Sequence, residues 1–445
     1  MGKEIKGFSK LSKEEKTNWI VANFFKETEV AKKILKQYWN NDENLQRLHD
    51  EFSENTLSNF YLPFSIAPNF LINDKIYSIP MVIEESSVIA AASKSAKLWS
   101  SLGGFKTKII SKIKNGQVHF TYLGEKELIT SYFNYIKPTL IQDTETITSN
   151  MEKRGGGIID IELINRTSDM KGYYQINVSF DTVDAMGANF INSCLEQISK
   201  SFKEKSSLCE EYKIQPNDIT IIMSILSNYV PECIVKAEVS CKVEELDKIE
   251  NYENYSEKFV QAVKIAQLDT SRAVTHNKGI MNGIDAISIA TGNDFRAIEA
   301  GIHAYASKEG KYKGLSKAKI ENDTFIFSIK IPLALGTVGG ITNLHPLVKL
   351  ALEMLDNPNA EELMQITAAV GLAQNYGALR SLITSGIQQG HMKMHLMNIL
   401  NHLEATEKEI ILVLSHFKDK IVSFTAVRDF LTLLRTNTSS EMKYT

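Results

Sequence analysis

The chain has 445 residues, 43% of them hydrophobic and 23% charged, with a formal net charge of −3 at pH 7. That length exceeds one ordinary core and predicts two or three domains, while the near-neutral balance excludes general attraction to nucleic acid or anionic lipid. The start, MGKEIKGFSKLSKEEK, lacks a signal peptide's apolar core, no apolar run approaches the roughly 20 residues that span a bilayer, and the four cysteines (Cys194, Cys209, Cys233, Cys241) contain no C-x-x-C pair. A cytoplasmic protein with reduced thiols is expected.

Residues 12–60 read as helices, with Ser12 and Glu15 in capping-box spacing. LPFSIAPNFLINDKIYSIPMVI reads as a hairpin turning at Asn73-Asp74. SSVIAAASKSAKLWSSLGG reads as a helix closing at Gly103-Gly104, and its small residues suit a central, closely packed position. From 106 to 242 the order is strand 115–123, helix 125–137, strand 158–165, strand 173–181, helix 186–204, strand 218–226. This βαββαβ series is the ferredoxin-like signature. Residues 243–376 read as helices mixed with apolar strands, among them FVQAVKIAQL, AISIATG, FRAIEAGIHAYAS and TFIFSIKIPLAL. The segment from 378 is helical, with a tail, TNTSSEMKYT, expected to be disordered. The predicted fold class is α+β: a large α/β domain (1–110 and 221–377), an inserted ferredoxin-like domain (111–220) and a C-terminal helical flap (378–445).

Neither a Rossmann fingerprint nor a P-loop is present. Glycines cluster instead in KRGGG (153–157), DAMGAN (184–189) and GTVGG (336–340). A glycine turn from strand to helix exposes backbone N–H groups suited to a pyrophosphate, although each taken singly also reads as an ordinary turn. In GHMKMH, His391 and His395 stand at i, i+4, but the Glu of H-E-x-x-H is missing and spacing nominates no third ligand. A proton donor on a mobile segment is the expectation there, and no metal. Glu84-Glu85 precedes an apolar helix, as dipole-compensating charge or as an acid with a raised pKa. Lys278 sits in AVTHNKGIMNGIDAISIATGND among small residues. A carboxylate such as Asp294 or Glu85 would fix its charge, giving a preorganised cation for a developing alkoxide.

Taken together, PMVIEESSVIAAAS, DAMGAN, RAVTHNKGIMNGIDAISIATGNDFRAIEAGIHAYA, GLAQN and GIQQGHMKMH closely resemble the bacterial (class II) 3-hydroxy-3-methylglutaryl-CoA (HMG-CoA) reductases, over nearly the whole chain. The resemblance implies conversion of HMG-CoA to mevalonate and CoA by two hydride transfers from a nicotinamide cofactor. It also implies a homodimer, or an oligomer of dimers, with active sites at the interface, and no nucleic-acid or membrane partner. It assigns oxyanion stabilisation to Lys278, tuning of that lysine to Asp294, proton donation to the mevaldehyde oxygen to Glu85, and protonation of the CoA thiolate to His391. Ser87, Arg272, Asn282, Asn228 and Gln374 would contact the hydroxymethylglutaryl group or order its network, and Asp184, Met186, Gly187 and Asn189 would line the dinucleotide pocket.

Two departures from the family pattern stand out. The dimer-contact motif E-N-V-I-G appears as ENTLS, with Ser58 for glycine. Before the triple glycine, Thr148, Ser149 and Asn150 stand where members preferring NAD carry an acid. With Lys153 or Arg154 available to attract a 2′-phosphate, NADPH is the expected cofactor, NADH remaining usable. The rival readings are the reverse, NAD-linked degradation of mevalonate, a nicotinamide-independent CoA-thioester lyase with Lys278 as base, and a non-catalytic binding protein.

Overall fold

A computed structural model describes the chain except for residues 1–3, 209–211, 213, 385–395, 419, 421 and 442–445. Met1–Pro63 and Phe64–Thr445 form separate compact units. In the first, the Ser12/Glu15 capping box opens α1 (Lys13–Phe24), followed by α2 (Thr28–Gln37) and α3 (Glu43–Glu51), which Asp42 caps. Ser58 of the ENTLS motif donates to the carbonyl of Leu35 at 2.6 Å, tying that segment to α2.

The second unit opens with the hairpin β1 (Phe64–Ile72) and β2 (Lys75–Val82), whose turn residues Asn73 and Asp74 have φ of 45° and 69°. Asn and Asp tolerate that left-handed conformation better than other side chains do. The small-residue helix α4 (Ser86–Ser101) follows, then β3 (Lys106–Ile109) and β4 (Lys114–Tyr122). Next come α5 (Lys126–Gln142), α6 (Glu145–Glu152), β5 (Gly157–Asn165), β6 (Tyr173–Asp181), α7 (Ala188–Glu204) and β7 (Ile219–Leu226). β4, β5, β6 and β7 form one antiparallel sheet in the order β5-β6-β4-β7, with its own apolar core on α5 and α7.

Two boundaries differ from expectation. The helix expected to stop at 137 continues through Pro138 to Gln142, because the proline is exposed while Ile136 and Leu140 on either side anchor the helix in the core. α6 carried no sequence signal: ETITSNME is rich in β-branched and turn-favouring residues.

β8 (Ile234–Lys242), α8 (Val243–Glu250), α9 (Tyr255–Leu268), α10 (Thr270–Ala290) and α11 (Phe295–Ala306) come next. AISIATG is thus the end of a helix rather than a strand. β9 (Ser316–Glu321) and β10 (Thr324–Pro332) complete a second antiparallel sheet, β3-β8-β10-β9. α12 (Pro346–Met354) and α13 (Ala360–Ile383) follow. Trp99, Phe259, Phe325, Phe327 and Tyr376 interlock as aromatic pairs in the large core joining this sheet to α4, α9 and α13.

Beyond α13, residues 396–402 are helical, followed by α14 (Glu407–His416) and α15 (Phe424–Glu441) around a separate cluster of Leu396, Leu400, Val413, Phe417, Val427 and Leu431. α15 runs into the tail expected to be disordered. Cys194, Cys233 and Cys241 are free and buried, and burial pushes their thiols up, to about 12, 11 and 12 respectively. Cys209 lies outside the described residues. Among the described residues no helix is long and apolar enough to cross a membrane.

Candidate active site

Three helices meet at unusually short range, and glycine is the reason. A Cβ on Gly283 of α10 would lie 3.0 Å from both Gln374 Cβ and the Val370 carbonyl of α13. One on Gly371 would lie 2.9 Å from Ile284, and one on Gly377 would lie 3.1 Å from Ala91 and Ser95 of α4. The glycines around Lys278 therefore let helices approach; they do not break the chain, since α10 is continuous over 21 residues.

Beside this contact lies a cavity of about 880 Å³. α10 lines it with Arg272, Thr275, Lys278 and Asn282, spaced as one helix face, and Asp269 caps that helix by accepting from the Arg272 N–H at 2.7 Å. α4 contributes Ser87 and Lys94, and the residue before it, Glu85, accepts a hydrogen bond from the Ser87 hydroxyl. α13 contributes Gln374, Asn375 and Arg380. Of the residues expected at the site, Glu85, Ser87, Arg272, Lys278, Asn282 and Gln374 are thus together.

Cations outnumber acids along this wall. Arg380 is engaged by the fully buried carboxylate of Glu250 (Nε–Oε2 2.5 Å), which also accepts from Tyr376 at 2.8 Å. Burial pushes the Arg272 pKa down, which makes a carboxylate partner favourable there. His276 is buried and pushed down to about 3, first by burial and then by Arg272, so it stays neutral. Its Nε2 donates to Ser316 at 2.6 Å, Ser316 donates to Asn375 at 2.8 Å, and this triad fixes the floor of the cavity. Gln374 is only 3% exposed, and its amide oxygen has no protein partner. A buried acceptor left open at the wall of this cavity fits a ligand donor such as a hydroxyl.

Other expected residues lie elsewhere in the second unit. Asp294 begins α11, where its carboxylate accepts from the Arg296 and Ala297 N–H groups and pairs with the Arg296 side chain at 3.1 Å. It does not line the cavity. Asn228 and Met186 line a smaller groove between the start of α7 and α11. Asp184 accepts the N–H of Ala360, the first residue of α13, at 2.9 Å, so its carboxylate caps a helix. Gly187, at φ 91°, starts α7 without a side-chain cap, and Asn189 is exposed in its first turn. Lys153 and Arg154 are exposed just beyond α6. His391 and His395 lie outside the described residues. Sequence reasoning missed Lys94 and Arg380 at the cavity. Lys94 stands seven residues after Ser87, on the same helix face, a spacing that could have revealed it.

Residues 14–396 match the family hydroxymethylglutaryl-coenzyme A reductase. The chain is 38% identical over 411 residues to the 3-hydroxy-3-methylglutaryl-coenzyme A reductase of Archaeoglobus fulgidus, covering 92% of this chain and 89% of that one. Among solved structures, the 3-hydroxy-3-methylglutaryl-coenzyme A reductase of Streptococcus pneumoniae superposes with a TM-score of 0.69 at 33% identity, over 97% of this chain and all of that one. A class II enzyme from the same organism, described as bound to NADPH in open conformations, gives 0.69 at 34% identity over 86% of this chain and 100% of its own. On the family match, the identity and the shared fold, the chain belongs to the hydroxymethylglutaryl-coenzyme A reductase family.

Proposed function

We propose that the chain reduces HMG-CoA to mevalonate and CoA, consuming two NADPH and two protons, with NADPH preferred over NADH. The observation that carries this reading is the cavity in which Arg272, Lys278, Asn282, Glu85, Ser87 and Gln374 converge from three helices. Arg272 pairs with the terminal carboxylate of the substrate. Lys278 meets the oxygen of the thioester carbonyl as it becomes an oxyanion, and later the alkoxide derived from the aldehyde. Glu85, with its carboxyl held by Ser87, delivers the proton to that second oxygen. Gln374 and Asn282 bond the substrate hydroxyl, and His391 protonates the departing thiolate.

The sheet of β4–β7 is the inserted cofactor domain, expected at 111–220 and carried to Leu226 by β7, between the two parts of the large domain (from 1–110 and 221–377), and 378–445 is the flap. The uncapped first turn of α7 presents free N–H groups suited to a pyrophosphate, with Lys153 or Arg154 for the 2′-phosphate. Bound NADPH supplies the hydride for each reduction. Asp294, outside the cavity of its own chain, completes the site of the other protomer in a homodimer. Replacing Lys278 with Ala is expected to lower kcat by at least about a thousandfold, the scale of a lost oxyanion donor, with the melting temperature preserved. Turnover within tenfold of wild type in a folded variant would overturn the role of Lys278.

A further inference from the structure

Lys114, at the start of β4, is the one buried lysine or arginine among the described residues, only 5% exposed. Taking an ammonium out of water costs several kcal/mol, so its partners matter. Nζ lies 2.6 Å from Thr182 Oγ1, 2.8 Å from the Ala185 carbonyl and 3.1 Å from the Met186 carbonyl. Thr182 Oγ1 itself donates to Ala185 O at 2.6 Å, so it accepts from the lysine. Burial lowers the pKa of this ammonium, while three acceptors around Nζ match the three N–H donors of its charged form.

All three acceptors belong to the turn between β6 and α7, the one holding Met186 and Gly187. The turn is pinned on its other sides as well. Thr337 N–H donates to the Asp184 carbonyl at 2.8 Å, and a Cβ on Gly336 would lie 2.4 Å from Met186 N. Asp184 caps α13 at Ala360, and Lys112 bridges Asp181 at 3.2 Å to Glu361 at 2.9 Å. The bonds to α13 and to the 336–337 segment tie the turn to other elements, whereas Lys114 of β4 and Asp181 of β6, whose carboxylate accepts from the Val183 N–H at 2.9 Å, tie it to the sheet; of these two only Lys114 holds the Ala185 and Met186 carbonyls.

We infer that Lys114 is a positioning residue for the nicotinamide dinucleotide, fixing the Thr182–Met186 backbone so that the first turn of α7 meets the ligand in one orientation. This rests on the reading of that turn as the dinucleotide site. It assigns to this lysine, which also lines the groove of Met186 and Asn228, a contribution to cofactor affinity made through the turn it holds.

The test is Lys114→Met, which keeps the volume and removes the donors. The expected result is a KM for NADPH raised at least about tenfold, the scale of lost charge-assisted hydrogen bonds, with kcat and the KM for HMG-CoA within about twofold. Thr182→Val, which removes one acceptor, is expected to shift the NADPH KM in the same direction by a smaller factor. Should Lys114→Met fail to fold, the same split in Thr182→Val decides. An unchanged NADPH KM, or a parallel loss in kcat and both KM values, would reduce Lys114 to a scaffold residue and overturn the inference. Fluorescence titration separates the two layers. Wild-type protein that binds no NADPH removes the reading of the turn, whereas wild-type binding unaltered by either substitution removes only the role of Lys114.

Discussion

Lys278 and Arg272 share one face of α10 less than two turns apart, a spacing that suits the proposed roles, a substrate carboxylate at Arg272 and a reacting carbonyl at Lys278. Cofactor choice is also a matter of single residues. No carboxylate stands at 148–150 to accept a ribose hydroxyl, and Lys153 and Arg154 are exposed beside the triple glycine. The ratio of kcat/KM for NADPH over NADH is therefore expected to exceed about ten, or about 1.4 kcal/mol, and a tenfold preference for NADH would contradict that assignment. Lys278 was legible as a cavity residue because charge at a glycine-marked position is rare. Arg380 was not, since on a helix surface it looks like any solvated cation until the cavity shows where it points, and Lys94 offered only its seven-residue spacing from Ser87. Asp184 was legible in place but not in use: its motif marked the turn, while the 2.9 Å bond to Ala360 depends on a chain segment 176 residues away.

At the scale of elements, α10 meets α11 through a pair of carboxyl groups. Asp285 is pushed well above the ordinary carboxylate range, first by burial and then by the hydrogen bond and charge of Glu299. Glu299 also contacts His303 Nε2 at 2.8 Å, and Asp285 Oδ1 has no hydrogen-bond partner. The folded state therefore keeps a proton that the unfolded chain loses above about pH 4. Stability contributed by Asp285 falls as pH rises from there through neutrality. Asp285→Asn is expected to raise stability at pH 8 by about 1–3 kcal/mol, because the amide is neutral in both states and escapes the cost of keeping a carboxyl protonated above its ordinary range, with little change near pH 4. Equal effects in urea melts at the two pH values would count against this pairing. The βαββαβ run was readable because alternation and amphipathic spacing are local. The purpose of the α10 glycines was not readable, because a helix that needs close neighbours and a chain that needs turns use the same residue.

For the whole molecule, the placement of Asp294 off the cavity that holds Lys278 has a consequence for assembly. If each site takes its aspartate from the partner subunit, Lys278→Ala and Asp294→Asn are each inactive alone. Mixed under conditions that re-pair subunits, they are expected to recover about a quarter of wild-type activity, because random two-fold pairing rebuilds one intact site in half of the dimers. No recovery, with exchange of subunits demonstrated, would place both residues in one chain's site. The meeting of α4, α10 and α13 could not be read from the sequence, because it depends on contacts between distant segments.

The central claim is the four-electron reduction of a thioester to an alcohol, and it is tested most directly by counting cofactor consumed. With HMG-CoA in excess, purified protein is expected to oxidise two NADPH for every mevalonate and every free thiol released. One equivalent per thiol would mean the reaction stops at the aldehyde, and thiol release with no loss of reduced-cofactor absorbance would mean a lyase or hydrolase; either result contradicts the account.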